Sequence, residues 1–229
     1  TLWLENGRVI DEPGSPFRTG LRELAKFHKG TFRLTPNQHI IVSDIDEADK
    51  PRVEAHLREY KMDNWNQSGL RLSASACVAF PTCGLAMAES ERYIFKLVDK
   101  VQHIYLANGL RDDEITFRMT GCPNGCARPW IAEIAFVGKA PGTYVMLLGG
   151  ARNGTRLNKI FRDNVQEKEI LEILGILIPR YARERLDGEP FGDWVIRAGI
   201  IAETTSGAAF YDNVDTESPL APADVPQAA

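Results

Sequence analysis

The chain has 229 residues, 44% hydrophobic and 25% charged, with a formal net charge of -4 at pH 7. That apolar content supports a substantial core, as one large domain or two unequal ones. The longest apolar stretch, Ile170 to Ile178, is broken by Glu172 and Gly175 and falls well short of the ~18 residues a membrane helix needs. The net charge gives no bulk attraction to nucleic acid, although cations gather at Arg152, Arg156, Lys159 and Arg162, so neither a membrane nor a nucleic-acid partner is expected.

In chain order, Thr1 to Ile10 reads as a strand and Asp11 to Gly20 as a Pro/Gly-rich connection, followed by a helix near Leu21 to Lys29. Short apolar runs at Phe32–Leu34 and His39–Val42, separated by Thr35, Pro36 and Asn37, predict a strand pair. The acidic run Asp44 to Asp49 then leads a helix at about 51–60. The polar, turn-rich stretch Lys61 to Gly69 marks a domain boundary, giving a first part over 1–66 and a second over 67–203. In the second part, apolar spacing from Leu85 to Tyr105 predicts one long amphipathic helix ended by Asn108-Gly109, with Cys83 just before its start. Backbone N–H groups at such a helix start favour a negatively charged group. Strands are expected at 115–119, 131–137 and 144–148.

All four cysteines lie in the second part, as two tight pairs: Cys77 with Cys83 in ACVAFPTCGLA, and Cys122 with Cys126 in TGCPNGCARPW. Disulfide frameworks are small, cysteine-dense and secreted, whereas this chain has four cysteines in 229 residues and no hydrophobic signal segment at Thr1 to Ile10. Structural zinc favours gaps of about two to four residues, often with histidine. Here one gap is five residues, and none of His28, His39, His56 and His103 lies beside a pair. Four thiolates from two loops match the donor set of an iron–sulfur cube. Pro123 and Gly125 force a tight loop, in which backbone comes close to a bulky group and aims N–H donors at its sulfides.

Around these cysteines the sequence resembles a known family. TGC-x3-C, followed after six residues by Glu133-Ile134-Ala135-Phe136, is similar to the signature of the sirohaem-containing sulfite and nitrite reductases, and the upstream C-x5-C completes their four-cysteine set. The likeness extends through FRLTPNQHIIV (32–42), FPTCGLAMAESER (80–92), FVGKAPGTY (136–144) and FGDWVIRAGII (191–201), so it covers roughly residues 1–201. CPNGCARPW, RLNKIFR (156–162) and RAGII most resemble the haemoprotein (beta) subunits of assimilatory NADPH-dependent sulfite reductases of bacterial and fungal type.

The resemblance implies an α+β fold, with a ferredoxin-like half-unit followed by a mixed α/β domain that binds sirohaem and an iron–sulfur cluster. It implies that Cys77, Cys83, Cys122 and Cys126 bind a [4Fe–4S] cluster and that Cys126 also bridges to sirohaem. Asn124, Arg128, Gly149, Gly150 and Arg152 are then candidate contacts for the carboxylate-rich macrocycle. The implied reaction is the six-electron reduction of sulfite to sulfide, with NADPH and flavins acting through a partner flavoprotein. Nitrite as substrate, ferredoxin as donor, or a cluster-holding module without catalysis are the alternatives.

The family carries two related halves, and FRLTPNQ occurs here once, so the chain resembles the second half only. Its expected partner is the first half, which supplies the cations that grip sulfite. No catalytic residue is assigned in this chain, and by itself it is expected to be inactive. It starts without methionine and reads as a piece of something longer. Residues 204–229, rich in Ser, Thr, Pro, Ala and acids, are expected to form a flexible tail. Cluster thiolates require a reducing compartment, so a cytoplasmic location is expected.

Overall fold

The computed structural model of the chain describes residues 1–211. It is an α+β protein with two compact units, the first covering Thr1–Gln67 and the second beginning at Ser68.

The first unit holds a short hairpin of β1 (Asp11–Glu12) and β2 (Ser15–Pro16), then α1 (Phe17–Ala25), an antiparallel pair of β3 (Thr31–Leu34) and β4 (Ile40–Ser43), and α2 (Lys50–Glu59). Its core is built from Leu2, Leu4, Leu24, Ile40, Val53 and Met62. Gly20 lets α1 approach the region after α2, since a Cβ there would fall 2.5 Å from the sulfur of Met62. The His56 ring on α2 donates to the carbonyl of Gly20 at 2.8 Å. The strand expected over residues 1–10 is reduced to one bridge between Leu2 and Ile40. Asn6 and Gly7, with φ of 52° and 71°, instead turn the chain through a single 3-10 turn at Glu5–Gly7. The first helix starts and ends about four residues earlier than its apolar pattern suggests.

The second unit is a five-stranded sheet with strands in chain order: β5 (Ala74–Ala76), β6 (Phe117–Thr120), β7 (Ile134–Ala140), β8 (Thr143–Leu148) and β9 (Lys159–Val165). The short helix α3 (Gly69–Ser73) leads into it, and α4 (Glu91–Ala107) makes the crossover from β5 to β6. The first three strands are parallel, and β7, β8 and β9 pair antiparallel. All four residues of β6 are buried, as a parallel strand covered on both faces should be.

On one face Phe117, Phe136 and Tyr144 pack towards α4, with Tyr144 stacked on Tyr93 at 5.9 Å. Ala135, Val137, Leu147 and Ile160 form the core of the other face with Ala132, covered by Trp130 and Phe210. Helices α5 (Glu167–Glu184) and α6 (Phe191–Arg197) follow the sheet, and Trp194, Phe191 and Tyr181 form a buried aromatic cluster between them.

The tail departs from expectation at its start. The Thr204 hydroxyl donates to the carbonyl of Asn158 at 3.1 Å and Phe210 stands edge-on to Trp130 at 5.7 Å, so the segment is anchored at these two residues while 205–208 and Tyr211 are exposed. The remainder of the expected tail, 212–229, lies outside the described residues. Among the described residues no helix is long and apolar enough to cross a membrane.

Candidate cysteine-loop site

Two neighbouring parallel strands present the cysteines at the same end of the sheet. Ala76 of β5 is in register with Met119 of β6, so Cys77 and the Thr120-Gly121-Cys122 turn leave the sheet side by side. The carboxyl ends of parallel strands are where open α/β sheets place their ligands. Cys77 N–H continues the ladder to the Met119 carbonyl at 3.2 Å. Gly121 N–H donates to Cys77 Sγ at 3.2 Å, and its carbonyl accepts from Met87 N–H at 2.8 Å and Ala88 N–H at 3.0 Å. Gly121 thus ties both cysteine loops with three hydrogen bonds. A Cβ on it would meet Ala79 Cβ at 2.6 Å and the Ala88 carbonyl at 2.9 Å, so glycine is required by close approach.

Cys83 is held by its N–H donating to the Ala79 carbonyl at 2.8 Å. It does not sit at a helix start. The long helix begins only at Glu91, because the apolar residues Leu85 and Met87, counted in its stripe, are exposed on the loop before it. Cys83, eight residues before the start of α4 at Glu91, therefore receives nothing from that helix dipole. Ser90, buried beside α4, instead donates its hydroxyl to the Met119 carbonyl at 2.7 Å and pins the end of that loop to β6.

In the second loop, Cys122 is buried and Cys126 exposed, with Gly125 N–H donating back to the Cys122 carbonyl at 3.3 Å. Asn124 is exposed on the same loop. Arg128 takes a left-handed conformation, φ 55°, and opens the 3-10 turn Pro129–Ile131. Arg118 is a charged residue in a strand buried along its whole length, and no sequence motif marks it. It is 5% exposed and donates through Nη1 to the Ala127 carbonyl at 3.1 Å, fastening the loop immediately after Cys126. Burial, with a further contribution from the neighbouring Arg128 charge, pushes the Arg118 guanidinium down to about 10. Asn158 fixes the far end of this loop, its side-chain amide donating to the Pro129 and Ala132 carbonyls at 2.6 and 3.0 Å.

Gly149, Gly150 and Arg152 are not brought beside the Gly121 junction. Leu148 at the end of β8 pairs with Ile134 at the start of β7, so the Gly149 turn lies at the opposite end of the sheet. The separation from Gly121 is about five strand positions, roughly 16 Å. There Gly149 N–H donates to the Glu133 carbonyl at 3.1 Å, and Gly150 is packed against Ala132 and Gly192. Arg152 pairs with Glu114. Arg156 binds the Gly149 and Gly192 carbonyls at 2.8 and 3.0 Å and Asp193 at 2.6 Å, and Lys139 pairs with Asp163 at 2.6 Å. These cations are taken up by carboxylates or carbonyls of the protein itself.

None of the four cysteines forms a disulfide. Their backbones converge while the side chains do not: among the described residues no three His, Cys, Asp or Glu side chains are arranged around a common metal position. The donor chemistry nevertheless fits a cluster. Four thiol sulfurs lie on two tied loops, donors already face one of them, two arginines lie near the second loop, and the glycine close approaches leave no room for substituents at the junction.

A family model described as the nitrite/sulfite reductase ferredoxin-like half domain matches residues 3–60, within the first unit. The chain is similar to members of the nitrite and sulfite reductase family. Within it, the chain is 59% identical over 213 residues to the sulfite reductase [NADPH] hemoprotein beta-component of Geobacillus kaustophilus and 54% identical over 212 residues to that of Staphylococcus epidermidis. These alignments cover 93% and 92% of this chain, which spans 37% of the length of either relative. Among solved structures it is similar to the Mycobacterium tuberculosis NirA protein, with a TM-score of 0.65 and 26% identity over 78% of this chain and 35% of that one. Dissimilatory sulfite reductase I shares the fold, at a TM-score of 0.60 and 10% identity, over 86% of this chain and 65% of its own.

Proposed function

We propose that this chain is the cluster- and sirohaem-carrying part of an NADPH-dependent sulfite reductase haemoprotein component, which reduces sulfite to sulfide. The observation that carries the reading is the junction at Gly121, where the loops of Cys77–Cys83 and Cys122–Cys126 meet at the ends of two parallel strands. In this reading Cys77, Cys83, Cys122 and Cys126 hold a [4Fe–4S] cluster, and Cys126, the exposed member, is shared with sirohaem. Asn124 and Arg128 flank that position and meet the macrocycle. Gly149, Gly150 and Arg152, which lie at the other end of the sheet from Gly121, remain candidate contacts for the far side of the macrocycle.

When bound, the coupled pair would supply low-potential electrons for the reduction of a sulfur oxyanion. The protein's part is to position and to exclude. Gly121 and Ser90 keep the first loop against β6, Arg118 holds the second through Ala127, and the packed sheet shields the inner side of both.

The remainder of the longer protein would supply the cations for sulfite, and a flavoprotein would deliver electrons from NADPH in the cytoplasm. Strand β3 is exposed along its whole length, with Leu34 83% exposed, which supports a covering element from that remainder.

The test is anaerobic reconstitution of the chain with iron and sulfide, then sirohaem. Four irons per chain with sirohaem absorption is the expected result. A chain that takes up the cluster but no sirohaem would reduce the reading to an electron-transfer module. Assays of the longer protein with sulfite and with nitrite, using a reduced flavoprotein or ferredoxin, then decide substrate and donor.

A further inference from the structure

Thr120 closes β6 and is fully buried, although a strand buried on both faces has no general need of a hydroxyl there. Its Oγ1 lies 3.5 Å from Cys77 Sγ and 3.4 Å from the Cys122 carbonyl, one acceptor on each cysteine loop. A hydroxyl has a single proton and can serve only one of them at a time. Cys77 Sγ also receives Gly121 N–H at 3.2 Å. A neutral thiol can donate as well as accept, which leaves the Thr120 proton available to the Cys122 carbonyl. A metal-bound thiolate only accepts and carries charge, which draws that proton to sulfur.

We infer that Thr120 is a positioning residue which sets the reduction potential of the cluster through Cys77. The inference rests on the cluster reading above. Two donors on one thiolate withdraw electron density from the sulfur and so favour the reduced, more negative cluster, which raises its potential. The step affected is one-electron: an electron enters from a low-potential donor, the cluster becomes more negative by one charge, and no bond or proton is exchanged. Thr120 contributes the side-chain donor and Gly121 the backbone one, and only the former can be removed by substitution without altering the loop backbone.

The test compares the chain with Thr120→Val and Thr120→Ser after anaerobic loading with iron and sulfide. Iron and sulfide per chain are measured, and the potential of the loaded fraction is read by dye-mediated titration with dithionite as reductant. The valine chain is expected to load, with its potential shifted to more negative values, and the serine chain to return towards the parent. A loaded valine chain with the parent's potential overturns the inference while leaving the cluster reading intact. A valine chain that folds but takes up no iron, beside a serine chain that loads, also overturns it, leaving Thr120 as a loop tie alone. A parent chain that takes up no iron defeats the cluster reading, and this inference with it.

Discussion

The carboxylate of Glu133 accepts the amide of Gly192 at 3.0 Å through one oxygen, and the amide and hydroxyl of Thr116 at 2.8 and 3.2 Å through the other. It therefore joins the approach to β6, the start of β7 and the first turn of α6, and its own carbonyl receives Gly149. Both oxygens face donors, so an amide in its place must turn an N–H against an N–H. Glu133→Gln is expected to destabilise the second unit by about 1–3 kcal/mol, the cost of leaving buried polar groups unpaired. Urea unfolding measures this, and an unchanged midpoint would contradict the assignment of Glu133 as a structural hub.

The same residue predicts a pH dependence. Burial holds the Glu133 carboxyl above the ordinary carboxylate range, against the pull of the Gly192 and Thr116 hydrogen bonds and the Arg152 charge. A carboxyl with a folded value above its unfolded one binds its proton more tightly in the folded state. It thus contributes stability below the ordinary carboxylate value, and that contribution is lost as pH rises through the raised folded value. The stability gap between the parent and Glu133→Gln is expected to narrow as pH increases from about 4 to 7. A gap that stays constant or widens would show that Glu133 does not titrate in this sense.

Gly121→Ala adds a methyl group where Ala79 Cβ and the Ala88 carbonyl already stand 2.6 and 2.9 Å from the new atom. One of the two loops must move, at a cost of about 1–3 kcal/mol for overpacking a closed site. The expected consequence is a lower unfolding midpoint together with reduced iron uptake. Full iron uptake at unchanged stability would mean that the loops separate freely and that Gly121 is not their junction.

Cys126→Ser tests the shared ligand of the proposed function. It is expected to lower both cluster content and sirohaem content, whereas Lys168→Ala, on the exposed side of α5, leaves both intact. Normal sirohaem occupancy with serine at 126 would remove Cys126 from that role.

Much of the architecture is legible in the residues. The β3–β4 pair, α2 and the strands around the cysteines follow from apolar alternation and turn residues, since those patterns act over a few neighbours. The start of α4 does not, because Leu85 and Met87 fit a helical stripe while the backbone before Ser90 is committed to Gly121. The cysteine pairs are visible as motifs, but their supports are not. Thr120 acts across a gap of 43 residues that the parallel register of β5 and β6 closes, while Ser90 and Arg118 act across gaps of 29 and 9 residues where loops fold back onto β6. The Gly149 turn shows the converse: a glycine-rich loop next to a cation suggests a ligand, and the antiparallel return of β8 carries it to the other end of the sheet.

Cys122 and Cys126 differ in exposure although only three residues separate them, one sealed under its loop and the other open to solvent. That contrast makes the loop its own reporter. A maleimide added to the folded apo chain should label position 126 well ahead of position 122, and mass spectrometry of the tryptic peptide would resolve the two. Any group that settles on the loop must then shield Cys126 first, so the rate at which that one label disappears reads out occupancy without requiring turnover or colour.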